Sequence, residues 1–103
     1  MRTFPRAVRR DVGHALFAAQ EGEVDPSAKP LGGFGSASVL EIVVQHRGDT
    51  WRAVYTVRYP EAVYVLHVFQ KKSKRGVATA KKDIDLIHRR LREAERQHRL
   101  RQN

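Results

Sequence analysis

The stretch WRAVYTVRYPEAVYVLHVFQ, residues 51–70, contains two runs of strand length that Pro60-Glu61 separates. The first run alternates between two faces, as a strand with one buried face does. One face carries Trp51, Ala53, Tyr55 and Val57, and the other carries Arg52, Val54, Thr56 and Arg58. The second run, residues 62–70, is almost wholly apolar and rich in β-branched and aromatic residues. That composition predicts a central strand or one covered on both faces.

A further strand is predicted just before this stretch. Leu40, Ile42 and Val44 alternate with Glu41, Val43 and Gln45. The alternation gives this strand one face toward the core. The segment Arg47-Gly48-Asp49-Thr50 has the residues of a tight connection between strands. The sequence therefore predicts an antiparallel meander of about three strands.

Helical spacing flanks the strands on both sides. Residues 5–21 are predicted to form an amphipathic helix, with Pro5 in its first turn and Gly22 as its stop. Residues 22–37 show no periodicity and are predicted to form a long loop. Thr79 is predicted to cap a second helix. The packing seam of that helix is Ile84, Ile87, Leu91 and Ala94. We expect one α+β domain over residues 1–103, with helices packed on the sheet.

Composition excludes several classes of protein. The 103 residues are 41% apolar and 30% charged, which is typical of a globular domain. Because there is no cysteine, disulfides, thiolate metal sites and cysteine nucleophiles are excluded. The N-terminal residues lack the apolar run of a signal peptide, and no stretch has membrane-spanning length. A cytoplasmic protein without membrane contact is predicted.

Positive charge is concentrated in one third of the chain. Residues 71–103 carry 12 Lys/Arg against 4 Asp/Glu, whereas residues 1–70 carry 8 against 7. Of the formal net charge of +9, residues 71–103 therefore contribute +8. Such a field attracts phosphate polyanions and releases their counterions, so nucleic acid is the leading partner class. A solubilising surface, or one matched to an acidic protein, is the alternative.

Three segments together resemble a known family. They are LEI at 40–42, WRAVYTVRYPEAVYVLHVFQKKSKRG at 51–76 and TAKKDIDLIHRRL at 79–91. Their order is similar to the HigB-like, often phage-derived branch of the RelE/ParE toxins. The resemblance implies a small microbial RNase-like fold and a toxin that a cognate antitoxin, often a helix-turn-helix DNA-binding protein, holds inactive in a hetero-oligomer. It also implies cleavage of messenger RNA on the ribosome, without a cofactor.

Two positions depart from the family pattern. Val43 stands where relatives commonly carry arginine, and Ala80 where they carry proline. The first change would remove a phosphate ligand, and the second would alter helix initiation. Two alternatives therefore stay open beside the RNase. One is a ParE-like toxin that inhibits DNA gyrase through protein contacts, and the other is an inactive relative that only binds nucleic acid. Lysine density after the third strand favours the RNase over the gyrase inhibitor.

Cleavage of RNA by attack of its 2′-hydroxyl, without a metal, needs three groups. A base accepts the hydroxyl proton, a second group stabilises charge on the phosphorane, and an acid protonates the leaving oxygen. Lys71 and Lys72 are the predicted catalytic lysines, since crowded cations make a feasible base. Arg52 is predicted to stabilise phosphate charge and Tyr55 to assist, although an odd separation puts them on opposite strand faces. The predicted RNA-binding residues are Lys74, Arg75, Arg47, Arg58, Lys81 and Lys82.

The five histidines do not predict a paired-histidine nuclease. They lie on separate predicted elements, and only His46 and His67 could converge on the sheet. His67 stands between Leu66 and Val68, where a packing histidine is the simpler interpretation. No His/Asp/Glu group has metal-ligand spacing, so no metal is predicted.

Overall fold

A computed structural model describes residues 4–35, 38–71 and 79–102, with element order α1, β1 to β4 and α2. Helix α1 spans Arg6–Gln20 and α2 spans Lys81–Gln102. The strands are β1 Ala28–Pro30, β2 Val39–His46, β3 Asp49–Tyr59 and β4 Ala62–Lys71. All neighbouring pairs are antiparallel in the order β1-β2-β3-β4, which makes a meander. The predicted α+β class is confirmed, with four strands in the described residues rather than three.

The additional strand, β1, lies inside the segment predicted as a loop. Asp25 shapes the turn before it, because its carboxylate accepts hydrogen bonds from the Ser27 backbone N–H at 2.9 Å and hydroxyl at 2.7 Å. Lys29 then pairs with Glu41 of β2. Three residues are too few to show alternation, and Pro30 is tolerated because β1 is an edge strand. Periodicity therefore could not reveal this strand.

Local sequence explains where the helices and hairpins end. Gly22 has φ +82° and donates its N–H to Ala19, while the next N–H, of Glu23, reaches Ala18 at 2.8 Å. This is the hydrogen-bond pattern of a Schellman end, as the predicted glycine stop requires. Arg47 and Gly48, with φ +52° and +84°, form the two-residue connection of β2 and β3. Positive φ at both positions is typical of the tight hairpin turn that matches strand twist.

The sheet carries one helix on each face. On one face α1 packs against the inward residues of β2 and β3, and Trp51, Ala53 and Tyr55 belong to this core. On the other face Ile87, Leu91 and Ala94 of α2 pack with Val54 and Leu66. The predicted division of β3 into two faces is therefore confirmed for residues 51–55. Strand β4 is an edge strand and not a central one, and it contacts both helices.

The long connection between α1 and β2 also packs on α2. Leu31 and Phe34 pack against the α2-side core, and the Phe34 ring stacks on His88 with centroids 4.1 Å apart. This contact fixes the connection across the sheet face that α2 covers. Among the described residues, neither helix combines the length and the apolar character needed to cross a membrane.

Candidate functional site

A buried ion pair lies on the α2 side of the sheet, on the face away from α1. Nη1 of Arg52 on β3 donates to Oε1 of Glu41 on β2 at 2.8 Å. The two side chains are only 7% and 8% exposed. Val43, two residues after Glu41, is the register partner of Arg52. The two charges are therefore diagonal neighbours on adjacent strands.

Thr79 joins this pair from the start of α2. Its hydroxyl donates to Oε2 of Glu41 at 2.8 Å, and Nη1 of Arg52 lies 3.5 Å from the same hydroxyl oxygen. The predicted capping role of Thr79 is wrong, because α2 begins at Lys81 and the hydroxyl is used by Glu41. A charge-assisted hydrogen bond to a buried carboxylate is stronger than a neutral cap. Thr79 thus ties the beginning of α2 to the sheet.

A second polar pair lies one helical turn further on. Nε2 of His67 on β4 is 3.0 Å from Oδ1 of Asp83, in the first turn of α2. The imidazole also stacks on Phe69, with centroids 4.6 Å apart. His67 pairs in register with Val54, and Phe69 pairs with Arg52. We call the surface formed by Glu41, Arg52, His67, Thr79 and Asp83 the polar face.

Most of the predicted catalytic and RNA-binding lysines are close in sequence to residues of the polar face. Lys71 is the last residue of β4, and its backbone pairs with Thr50. The side chain of Lys71, and the predicted site residues Lys72, Lys74 and Arg75, lie outside the described residues. In the sequence, these residues lie between the end of β4 at Lys71 and Thr79 of the polar face.

Tyr55 and Arg52 are not brought together. Tyr55 is 1% exposed in the core beneath α1, whereas Arg52 belongs to the opposite face. Burial raises the pKa of the Tyr55 phenol, and the Asp25 carboxylate adds to the rise. A buried phenol that resists ionisation is a core ring, so its placement does not favour a catalytic role. Arg52, predicted to stabilise phosphate charge, is buried and paired with Glu41.

The other predicted RNA ligands are spread over the molecule. Arg47 is exposed at the tip of the β2–β3 hairpin. Arg58 lies six residues along β3 from Arg52, about 20 Å for an extended chain, and forms an ion pair with Glu95. Lys81 and Lys82 are both exposed at the start of α2, and Lys81 pairs with Asp85. Among the predicted RNA ligands whose side chains the structure describes, only Lys81 and Lys82 adjoin the polar face.

An exposed basic stripe extends along α2 from those lysines. The spacing of its members places them on one side of the helix, and within the described part of the chain none of them forms an ion pair or a side-chain hydrogen bond. The members are Lys82, Arg89, Arg92 and Arg99. Exposed guanidinium groups that form no ion pair on a rigid helix suit contacts with a phosphate backbone. The sequence predicted this helix but named only its first two lysines as RNA ligands.

Sequence reasoning also missed Glu41 and the His67–Asp83 pair. A signal for Glu41 existed, because a two-residue turn at 47–48 sets the register that places Val43 opposite Arg52. The turn at 60–61 does not by itself place His67 near Arg52, because the β3–β4 register shifts twice between the turn and these residues. His46 and His67 do not converge, since His46 lines the cavity beside Pro5 and Arg6 at the start of α1. Within the described residues, no group of three acidic, His or Cys side chains is arranged to hold a metal ion.

The fold and the charge distribution define a small basic α+β protein with a polar sheet face, whose most basic segment follows β4 in the sequence. The chain matches the family described as "Phage derived protein Gp49-like (DUF891)" over residues 1–92. It therefore belongs to this Gp49-like family, which is associated with RelE/HigB-like toxins of toxin–antitoxin systems. Comparison with curated proteins gave no match, and neither did comparison with solved structures.

Proposed function

We propose that this protein is a HigB-like toxin that cleaves messenger RNA on the ribosome without a metal and thereby inhibits translation in the cytoplasm. The observation that carries the RNA target is the concentration of charge: residues 71–103 hold 12 of the 20 Lys/Arg residues. A surface of this kind binds phosphate backbones through counterion release. Family membership supports the toxin role and does not by itself specify RNA.

In the proposed reaction, the 2′-hydroxyl of one nucleotide attacks its neighbouring phosphorus. We assign the base to Lys71 or Lys72, where like charges next to each other favour a neutral amine. Lys74, Arg75, Lys81 and Lys82 would hold the phosphates and balance the charge of the phosphorane. Arg52, buried against Glu41, would act by holding β3 and α2 in place rather than by touching RNA.

A cognate antitoxin is the proposed partner. It would cover the basic segment and the polar face, and so prevent entry into the ribosome. Because that surface is positive, the contact surface of the antitoxin should be acidic. A complex in which the antitoxin makes no contact within residues 47–75 would contradict occlusion of the site.

The test is induction in cells followed by mapping of mRNA 5′ ends. Wild type should produce new in-frame ends within minutes, and Lys71→Ala/Lys72→Ala should not. The matched control is Arg9→Ala/Arg10→Ala, which removes the same charge from the exposed side of α1. This control should retain cleavage.

Other outcomes would replace the proposal. Growth arrest with intact mRNA and inhibited supercoiling would indicate a gyrase-directed toxin. Neither arrest nor cleavage would indicate a basic module that only binds nucleic acid.

A further inference from the structure

His67 and Asp83 form a histidine–carboxylate pair that nothing in the sequence pattern had assigned. The two side chains are 13% and 18% exposed, so water competes little for their 3.0 Å contact. Phe69 stacks on the same imidazole at an interplanar angle of 17°. Two contacts from different elements, α2 and β4, therefore fix the orientation of the ring.

The ring lies on β4, the strand whose last residue is Lys71. Since Arg52 pairs with Phe69, His67 is its diagonal neighbour on the adjacent strand, and such neighbours are about 7–8 Å apart. Lys71 follows four residues later on the same strand. Thr79 and Asp83 place the start of α2 over both polar pairs. His67 thus lies between β4, which leads in sequence to the proposed catalytic lysines, and the start of α2, which follows them.

The pairing leaves one ring nitrogen available. Nε2 contacts Asp83, and within residues 4–35, 38–71 and 79–102 Nδ1 of His67 has no hydrogen-bond partner. A carboxylate that holds one imidazole nitrogen sets the orientation from which the other nitrogen exchanges protons. Histidine is also the side chain best suited to proton transfer near neutral pH.

We infer that His67 is the general acid of the cleavage reaction and that Asp83 is its positioning residue; this inference rests on the proposed function. The lysines would take the 2′-hydroxyl proton, but they leave the departing oxygen without a proton donor. As the bond from O2′ to phosphorus forms and the bond from phosphorus to O5′ breaks, Nδ1 of His67 gives its proton to O5′. The products are a 2′,3′-cyclic phosphate and a 5′-hydroxyl.

The test is a ribosome-bound mRNA in which sulfur replaces the bridging O5′ at a codon that the wild-type protein cuts. A thiolate leaves without protonation, so loss of a general acid should matter only for the oxygen substrate. His67→Gln should cleave the oxygen substrate about 100-fold more slowly and the sulfur substrate within about threefold of wild type. Asp83→Asn, which retains the imidazole, should show the same selective loss to a smaller degree.

The matched control is His46→Gln, a half-buried strand histidine on the other side of the sheet. It should cleave both substrates at the wild-type rate. Circular dichroism would show whether each variant is folded.

Equal losses on the two substrates in folded His67→Gln and Asp83→Asn would overturn the inference, since they indicate a structural role. Wild-type rates in both variants would overturn it as well, while the endonuclease itself would stand. If the wild-type protein cut neither substrate, the proposed function would fail, and the inference with it.

Discussion

Arg52 donates a 2.8 Å hydrogen bond from Nη1 to Oε1 of Glu41, and this contact joins two buried charges on neighbouring strands. A buried carboxylate that loses its partner remains as an uncompensated charge. Arg52→Met should therefore lower the free energy of unfolding by about 3 kcal/mol. Urea denaturation followed by circular dichroism measures the loss.

The matched control for this prediction is the double variant Glu41→Leu/Arg52→Met, which removes both charges. Apolar replacements of similar volume often restore stability, so the double variant should be more stable than Arg52→Met alone. If it is less stable, the pair is not the main reason for the effect of the single substitution.

Thr79 should stabilise the start of α2 through its bond to Glu41. Thr79→Val keeps the shape but removes the hydroxyl donor, so we expect a loss of about 2 kcal/mol. Hydrogen exchange of the backbone N–H groups of residues 83 and 84, which bond to Ala80, should become faster. Thr79→Ser should behave like wild type, and equal protection in Val and Ser variants would contradict the anchoring role.

The exposed basic stripe should contribute to RNA affinity without base preference. Changing Arg89, Arg92 and Arg99 to Gln should weaken ribosome binding about tenfold or more at low salt and flatten its salt dependence. The control changes Arg6, Arg9 and Arg10 on α1 to Gln, which removes the same charge elsewhere. Equal losses in the two triple variants would mean that net charge, and not the face of α2, determines binding.

Ionisation of the Tyr55 phenol should make the free energy of unfolding depend on pH in the alkaline range. Burial raises the pKa of its phenol above the usual 10.0. The neutral phenol therefore contributes fully to the free energy of unfolding below the pKa that Tyr55 has in the unfolded chain. This contribution is lost as pH rises through the pKa that Tyr55 has in the folded protein. Between pH 8 and 11, Tyr55→Phe should lose less stability than wild type in denaturant titrations. Parallel curves for Tyr55→Phe and wild type would refute the assignment.

Local patterns were enough to predict the two helices, the hairpins and the alternate faces of β3. They failed for β1, because Ala28–Pro30 owes its strand conformation to pairing with β2 rather than to its own residues. The Glu41–Arg52 pair could have been derived from the turn at Arg47-Gly48, which fixes register. The contact between Asp83 and His67 could not have been derived from the sequence. It depends on where α2 begins and where it crosses β4, and tertiary packing sets that position.

The order of strands and helices in the chain also determines the order in which the residues of the polar face are synthesised. Every strand pairs with its neighbour in sequence, so the sheet can assemble progressively as the chain emerges. Thr79 and Asp83 follow the whole sheet, and they are the last members of the polar face to be made. A nascent chain therefore carries Arg52 and His67 without their α2 partners until translation has passed β4. The polar face is therefore completed only after the whole sheet has been synthesised.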